Sequence, residues 1–188
     1  MKHRILSAVL GLAATFAFAP AQAQQKLVPA QSEITFVSKQ MGVPVEGRFR
    51  QFDGQIAFEP VKPAATKIAF SVDLASVSIG KEADAELAKP VWFNTAKFPK
   101  ATFQSGAVKA LGGGKFEIAG KLAIKGVSSD VVVPVTLTQS GATTTATGAF
   151  PIKRLTFKIG ENEWTDTSMV ADEVQVKFKL ALTGVAKL

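Results

Sequence analysis

The sequence predicts an all-β, single-domain protein, an up-and-down antiparallel barrel of roughly eight strands carrying one short helical segment. Three observations predict it. Apolar and polar residues alternate with period two through most of the chain. Glycine-rich turns punctuate those stretches, and one segment alone is rich in helix formers.

The first residues stand outside that pattern. Lys2, His3 and Arg4 precede an apolar run from Ile5 to Ala19, then Pro20 and the small-x-small site Ala21-Gln22-Ala23. This is the layout of a cleavable Sec-type secretory signal, and its apolar run is short for a membrane span. Residues 1–23 are expected to be removed, leaving residues 24–188 as a soluble periplasmic domain. No cysteine follows Ala23, so no lipoprotein anchor is expected.

The elements follow in order. A strand is expected over Ser32–Ser38. A longer one over Val43–Phe58 changes parity between Phe49 and Phe52, and Asp53-Gly54 follows at once, which predicts a bulge or tight bend. Lys67–Leu74 sends Ile68, Phe70, Val72 and Leu74 to one face. Gly80–Lys89 has helical composition and Pro90 stops it. Strands are then expected at Ala101–Ala110, Lys115–Lys125, Asp130–Gln139, Thr143–Arg154, around Leu155–Ile159, and at Glu173–Thr183. Gly112-Gly113-Gly114 and Lys125-Gly126 read as hairpin turns. Pro134, inside a β-rich run, marks an edge, a bulge or a strand end. One greasy and one wet face per strand is the antiparallel pattern.

Between Val91 and Phe103 the chain crowds Trp92, Phe93, Phe98 and Phe103 into a stretch that Asn94 and Pro99 keep irregular. Loops are normally polar, because a buried loop strands its backbone groups. An aromatic loop must cover something apolar: a core, a partner or a ligand.

Composition narrows the chemistry. The chain has no cysteine and one histidine, His3, which leaves with the signal. The mature protein then lacks thiol chemistry, the commonest general base and the commonest transition-metal ligand, which moves expectation away from an enzyme. No metal, nucleotide or covalent cofactor is expected. The net charge of +7 includes Lys2 and Arg4, and the remaining basic residues are spread along strands with no cluster. That spread argues against nucleic acid and for solvated strand faces, with transient contact to a membrane surface left open. Asp84 and Glu86 diverge on a helix. Glu161, Glu163, Asp166, Asp172 and Glu173 lack calcium-loop spacing and read as a solvated loop.

At this point several blocks resemble one known family. Gly47-Arg48-Phe49-Arg50-Gln51-Phe52-Asp53-Gly54-Gln55-Ile56-Ala57-Phe58 is similar to the G-x-F-x-x-F-x-G-x-I-x-F stretch of YceI-like proteins. Ser76-Val77-Ser78-Ile79-Gly80, Trp92-Phe93-Asn94, Phe98-Pro99-Lys100-Ala101-Thr102-Phe103 and Gly120-Lys121-Leu122-Ala123-Ile124-Lys125-Gly126 resemble its later blocks in order. The resemblance implies an extended eight-stranded antiparallel lipocalin-like barrel with a short helical lid segment. It further implies an apolar tunnel for a polyprenyl lipid or ubiquinone-like quinone, and no catalytic role. Two departures touch the headgroup end. Gln40 and Glu86 stand where the family often has histidine, in Lys39-Gln40-Met41-Gly42 and Ala83-Asp84-Ala85-Glu86-Leu87.

The candidate tunnel lining is Phe36, Phe49, Ile56, Phe58, Ile68, Phe70 and Leu74 from the first half, with Trp92, Phe93 and Phe98 from the loop. Phe103, Phe116, Ile118, Leu122, Val176 and Phe178 complete it. These rings either line a tunnel or fill a solid centre, and Trp92 and Phe93 form either a lid or a plug. Arg48, Arg50 and Arg154, with Lys153 beside the last, are candidates for an anionic headgroup. A carboxylate-based hydrolase and a small outer-membrane barrel are the alternatives. The latter needs Lys67, Asp73, Lys115, Lys121, Lys177 and Lys179 to point inward. Monomer and homodimer are both allowed.

Overall fold

The computed structural model describes residues 24–188, so the expected signal segment lies outside the described residues. The described strands are β1 (Lys26–Leu27), β2 (Glu33–Gln40), β3 (Val43–Phe49), β4 (Phe52–Ala57), β5 (Lys67–Asp73) and β6 (Val77–Ser78). After helix α1 (Lys81–Leu87) come β7 (Lys100–Gly112), β8 (Lys115–Ile124), β9 (Val127–Ser140), β10 (Thr143–Lys153) and β11 (Glu173–Thr183).

All eleven strands belong to one antiparallel sheet in the order β4-β5-β7-β8-β9-β10-β11-β2-β3-β6, with β1 on β11. The two ends of that path meet covalently, because β3 runs straight into β4 across Arg50 and Gln51. The bend sits where the parity change places it, and the Leu74–Ser76 turn clasps it. Arg50 N–H donates to Ser76 O at 3.1 Å, and Asp73 N–H to Gln51 O at 3.0 Å. Counting β3 and β4 as one bent strand and β5 and β6 as another recovers the eight expected walls. The higher count comes from that bend and from the two-residue strand β1.

The hairpin turns form as expected, with Lys125 (φ 49°) and Gly126 (φ 77°) both left-handed at the β8–β9 tip. Pro134 lies in mid-strand opposite Glu117 of β8. On its other side the β9–β10 ladder already ends at Thr136–Thr147, so the missing proline N–H leaves no rung of that ladder unmade.

One expected strand is corrected. Residues around Leu155–Ile159 are not extended; Arg154–Phe157 is a 3-10 turn closed by Lys158 in the left-handed region. The alternation there is local. Arg154 and Phe157 are both buried, a spacing of three that suits a tight helical turn.

The sheet is grease inside and charge outside. Lys67, Lys115, Lys121, Lys177 and Lys179 are exposed on the outer face, while Ile34, Phe58, Ile118, Val133, Val135 and Leu137 are buried within. A lipid-facing wall would need the opposite sense, since each lysine at mid-bilayer costs about 2–4 kcal/mol.

Candidate functional site: a two-chambered apolar tunnel

Two apolar chambers adjoin inside the sheet. The lower one has a volume of about 170 Å³ and is lined by Ile56, Phe58, Ile68, Phe70, Phe103 and Ile118 with residues of β9, β10 and β11. The upper one, of about 450 Å³, is lined by Phe36, Phe49, Leu74, Trp92 and Phe93 with residues of α1 and the segment after β10. Ile34, Val72, Ala101, Leu122, Phe150 and Val176 line both and form the belt between them. The wall is therefore hollow at two levels, with space in the usual range of ligand pockets.

The C-terminal tail flanks the lower end. Val185 contributes to the lining. Gln139 Nε2 holds the tail there, donating to Val185 O at 3.3 Å and to the fully buried Thr144 Oγ1 at 3.1 Å. At the rim beside it, the Gln25 amide pairs with both the N–H and the C=O of Phe58, at 2.8 and 2.7 Å.

The upper end carries a lid and a strap. The lid is α1 plus residues 88–99. Asp84 Oδ1 caps the helix from inside by accepting from Ile79 N–H (2.7 Å) and Gly80 N–H (3.1 Å). The aromatic loop satisfies its own backbone: Phe93 N–H donates to Leu87 O, Asn94 N–H to Lys89 O, and Phe98 N–H to Asn94 O, all at 2.8–3.0 Å. That internal pairing, with Asn94 left-handed at φ 51°, is what lets an aromatic loop be buried. Phe49 meets Phe93 edge-on at 6.1 Å, and Trp92 lies 5.2 Å from Trp164 of the strap. Trp92 Nε1 is buried without a hydrogen-bond partner.

The strap, residues 154–172, is organised around Arg154, which is 2% exposed. Its Nε donates to Ala171 O (3.1 Å), its Nη1 to Ile159 O (2.8 Å) and Gly160 O (3.4 Å), and its Nη2 to Trp164 O (2.7 Å) and Val170 O (2.6 Å). Those contacts engage the full donor complement of a guanidinium. Burial pulls its pKa below the ordinary arginine value, and the nearby Asp172 charge partly opposes that.

A second cation pins the strap from below. Lys125, almost wholly buried at the β8–β9 tip, donates to Lys158 O at 2.7 Å and pairs with Glu161 at 2.6 Å. The Lys125 hydrogen bond, and next its charge, hold the Glu161 carboxyl below the usual glutamate range. A depressed carboxylate stabilises above its unfolded pKa and loses that contribution as pH falls through its folded value. Acidification below the ordinary glutamate value of about 4.3 is therefore expected to lower the amide protection factors, rates taken relative to intrinsic exchange at the same pH, across residues 154–172. Glu161→Gln should show lower protection at neutral pH and flatten that dependence; wild-type protection factors that do not fall on acidification would refute the clasp.

Of the expected lining, fourteen of the sixteen residues face the two chambers. Phe98 instead sits outside, over Gly126 of the β8–β9 tip, whose added Cβ would lie 2.8 Å from its ring. Phe116 is buried behind Phe58, edge-on at 4.9 Å. The arginines are corrected. Arg48 and Arg50 are exposed on the outer face of β3 and its bend, and Arg50 donates to Ser78 Oγ. Arg154 lines the upper chamber but has no donor left for a headgroup, and Lys153 is exposed. The polar side chains at the upper rim are Ser38, Gln40 and Glu86, so the two departures from the YceI-like pattern meet there. The rim also exposes Met41 (78%) and Met169 (43%), joined by Met41 N–H donating to Met169 O at 2.8 Å.

Sequence reasoning missed Ile34, Val72, Phe150 and the whole β9–β10 contribution, Val133 to Ala146. Their alternation was legible; which strands border the hollow depends on long-range register. The acidic residues near the C-terminus hold the strap: Asp172 Oδ1 accepts from Leu155 N–H, and Asp166 Oδ1 from Ser168. Among the described residues, Glu86 is the one carboxylate lining either chamber.

Comparisons place this architecture. The YceI-like domain model matches residues 25–182. A UPF0312 protein of Shewanella oneidensis is 35% identical over 138 residues, covering 71% of this chain and 72% of that one. A UPF0312 protein of Azotobacter vinelandii is 41% identical over 88 residues, 46% of each chain. Among solved structures, Burkholderia cenocepacia BcnA is similar with a TM-score of 0.80 and 45% identity, covering 83% of this chain and 99% of that one. A polyisoprenoid-binding domain from Saccharophagus degradans shares the fold, with a TM-score of 0.68 at 18% identity over 85% and 98% of the two chains. With its lipocalin-like curled sheet and family blocks matched along nearly all described residues, the chain belongs to the YceI-like family.

Proposed function

We propose that this protein binds and carries a single-tailed isoprenoid lipid, polyprenyl or ubiquinone-like, in the periplasm, without catalysing a reaction on it. One observation carries the proposal: the inward faces of the sheet enclose two adjoining, almost wholly apolar chambers. A dry cavity of about 150 Å³ holds one benzene, which gives about 25 Å³ per carbon. On that scale the chambers take roughly seven and eighteen carbons, or about five isoprene units. Burial at about 0.8 kcal/mol per CH₂ holds such a tail with no charged contact. The Saccharophagus degradans domain, described as polyisoprenoid-binding, supports the same ligand class.

The tail enters tail-first at the upper rim, where the polar side chains of the lining gather, and its head rests beside Ser38, Gln40 and Glu86. Exposed Met41, Val43 and Met169 make that rim the face for transient contact with a bilayer, by one copy or a pair. Lid opening hydrates Trp92 Nε1, an unpaired buried donor worth about 1–3 kcal/mol, which offsets part of the cost of opening. A hydrolase would need paired carboxylates at the cavity, and Glu86 has no such partner in the lining.

The test is protein purified without detergent from prenyl-lipid-containing cells, extracted with organic solvent and examined by mass spectrometry. A co-purifying prenyl chain is expected. A folded protein whose extract is lipid-free, and which takes up no prenyl quinone from vesicles, would overturn the proposal.

A further inference from the structure

Four glycines face the interior of the sheet where none is required by the backbone. Gly47, Gly54, Gly120 and Gly148 are absent from the positive-φ positions, so an ordinary residue fits their conformation. Within a strand a glycine costs about 0.5–1 kcal/mol relative to alanine, so something else keeps the Cβ out. In each case a phenylalanine ring stands in the way, alone at Gly54 and joined by Ile79 Cγ2 at Gly47, Gln104 O at Gly120 and Pro134 O at Gly148. A Cβ on Gly47 would lie 2.3 Å from Phe36 Cζ, on Gly54 2.6 Å from Phe70 Cδ2, on Gly120 2.6 Å from Phe103 Cε2, and on Gly148 2.3 Å from Phe178 Cζ. Three of the rings come from the directly paired residue of the next strand, Phe36, Phe70 and Phe178. Phe103 reaches Gly120 along the diagonal, since Gly120 itself pairs with Ser105.

We propose that these four glycine–phenylalanine pairs set the bore of the tunnel, and thereby the length of the single hydrocarbon tail it accepts. The proposal rests on the carrier function above and deepens it. Each ring reclines into the recess its glycine leaves, lying against the wall instead of across the lumen. The scale of the effect is large. A benzene-sized ring needs a cavity of about 150 Å³, nearly the whole of the lower chamber's 170 Å³. Phe70, Phe103 and Phe178 line that lower chamber and Phe36 lines the upper one. Losing a lower recess therefore shortens the tunnel at the end remote from Ser38, Gln40 and Glu86, which penalises long tails and spares short ones.

Gly54→Ala isolates the effect, because its Cβ meets the Phe70 ring while backbone comes no nearer than 3.7 Å. Gly120 and Gly148 are poorer probes, since a Cβ there also meets a carbonyl oxygen. The experiment titrates wild type, Gly54→Ala, Gly54→Ala/Phe70→Leu and Phe70→Ala with geraniol, farnesol, geranylgeraniol and a longer prenyl alcohol. Gly54→Ala is expected to bind the short alcohols as wild type does and the longest at least about ten-fold more weakly, the worth of some two buried methylenes. Phe70→Leu in that background restores the long tail, and Phe70→Ala alone favours it over wild type. A length profile parallel to wild type in both Gly54→Ala and Phe70→Ala overturns the proposal and leaves the carrier function standing. Should Gly54→Ala fail to fold, the Phe70→Ala profile decides alone. A wild-type protein that binds none of the alcohols overturns both.

Discussion

Replacing Val176 by tryptophan is expected to cut affinity for a long prenyl tail about a thousand-fold or more while lowering unfolding free energy by no more than about 1.5 kcal/mol. Val176 is half-buried on β11, pairs across the sheet with Phe150 and Phe36, and lines both chambers at the belt. An indole there blocks passage to the lower chamber, which on volume accommodates roughly seven carbons. At about 0.8 kcal/mol per buried CH₂ their exclusion removes some 5 kcal/mol of binding. The same substitution separates a hollow centre from a solid one. In a filled core an extra ring forces neighbours off their rotamers and costs about 1–3 kcal/mol or more. Isothermal titration with a long prenyl alcohol and urea denaturation of the same variant give the two numbers. Severe destabilisation with tail binding unchanged would mean that no tail passes the belt.

Why the hollow was only half legible in the sequence follows from how it is made. Period-two alternation is local, so the inward phenylalanines and the bend at Arg50 and Gln51 could be read from residue order. Whether those rings fill the centre depends on where each one reclines, which is decided by the strand beside it. Phe178 lies over Gly148, thirty positions earlier in the chain, and Phe70 over Gly54. A glycine inside a strand reads as a weak point or a bulge in isolation. Only register reveals it as a recess.

The arginines teach the complementary lesson. A cation near a tunnel mouth reads as a headgroup contact, although local alternation already separates Arg48 from the lining and says nothing of Arg154. Alternation sends the first to solvent with Glu46, outward of Gly47 and Phe49. The third is captured by a loop of seventeen further residues whose carbonyls converge on it, a long-range arrangement without a sequence signature. The 3-10 turn at Arg154–Phe157, where a strand was expected, is the start of that capture. The lid was more accessible: aromatics in an irregular stretch need apolar cover, Trp92 and Phe93 find it, and the structure supplies the backbone pairing that their burial demands.

Arg154→Met is expected to lower the unfolding free energy by about 3–5 kcal/mol, the largest stability effect of any substitution considered. The methionine keeps an apolar stem in place but removes every donor, leaving the carbonyls of Ala171, Ile159, Gly160, Trp164 and Val170 to find other partners. An unsatisfied buried carbonyl costs about 1–3 kcal/mol, and those nearest the surface recover water, so the total falls short of five full penalties. The loss also reaches the site. Val91 O accepts from Gly160 N–H and Glu161 N–H at 2.9 Å, so a loosened strap releases the lid loop and the Trp92–Trp164 contact. Urea denaturation should show a lower midpoint with little change in slope. Hydrogen exchange should report lost protection at residues 154–172 before any loss in β7–β8. Arg154→Lys should recover little, since an ammonium offers three donors in place of a planar five. A midpoint unchanged in Arg154→Met, with the strap still protected, would show that the carbonyl cage holds itself together and that the buried cation is a passenger in it.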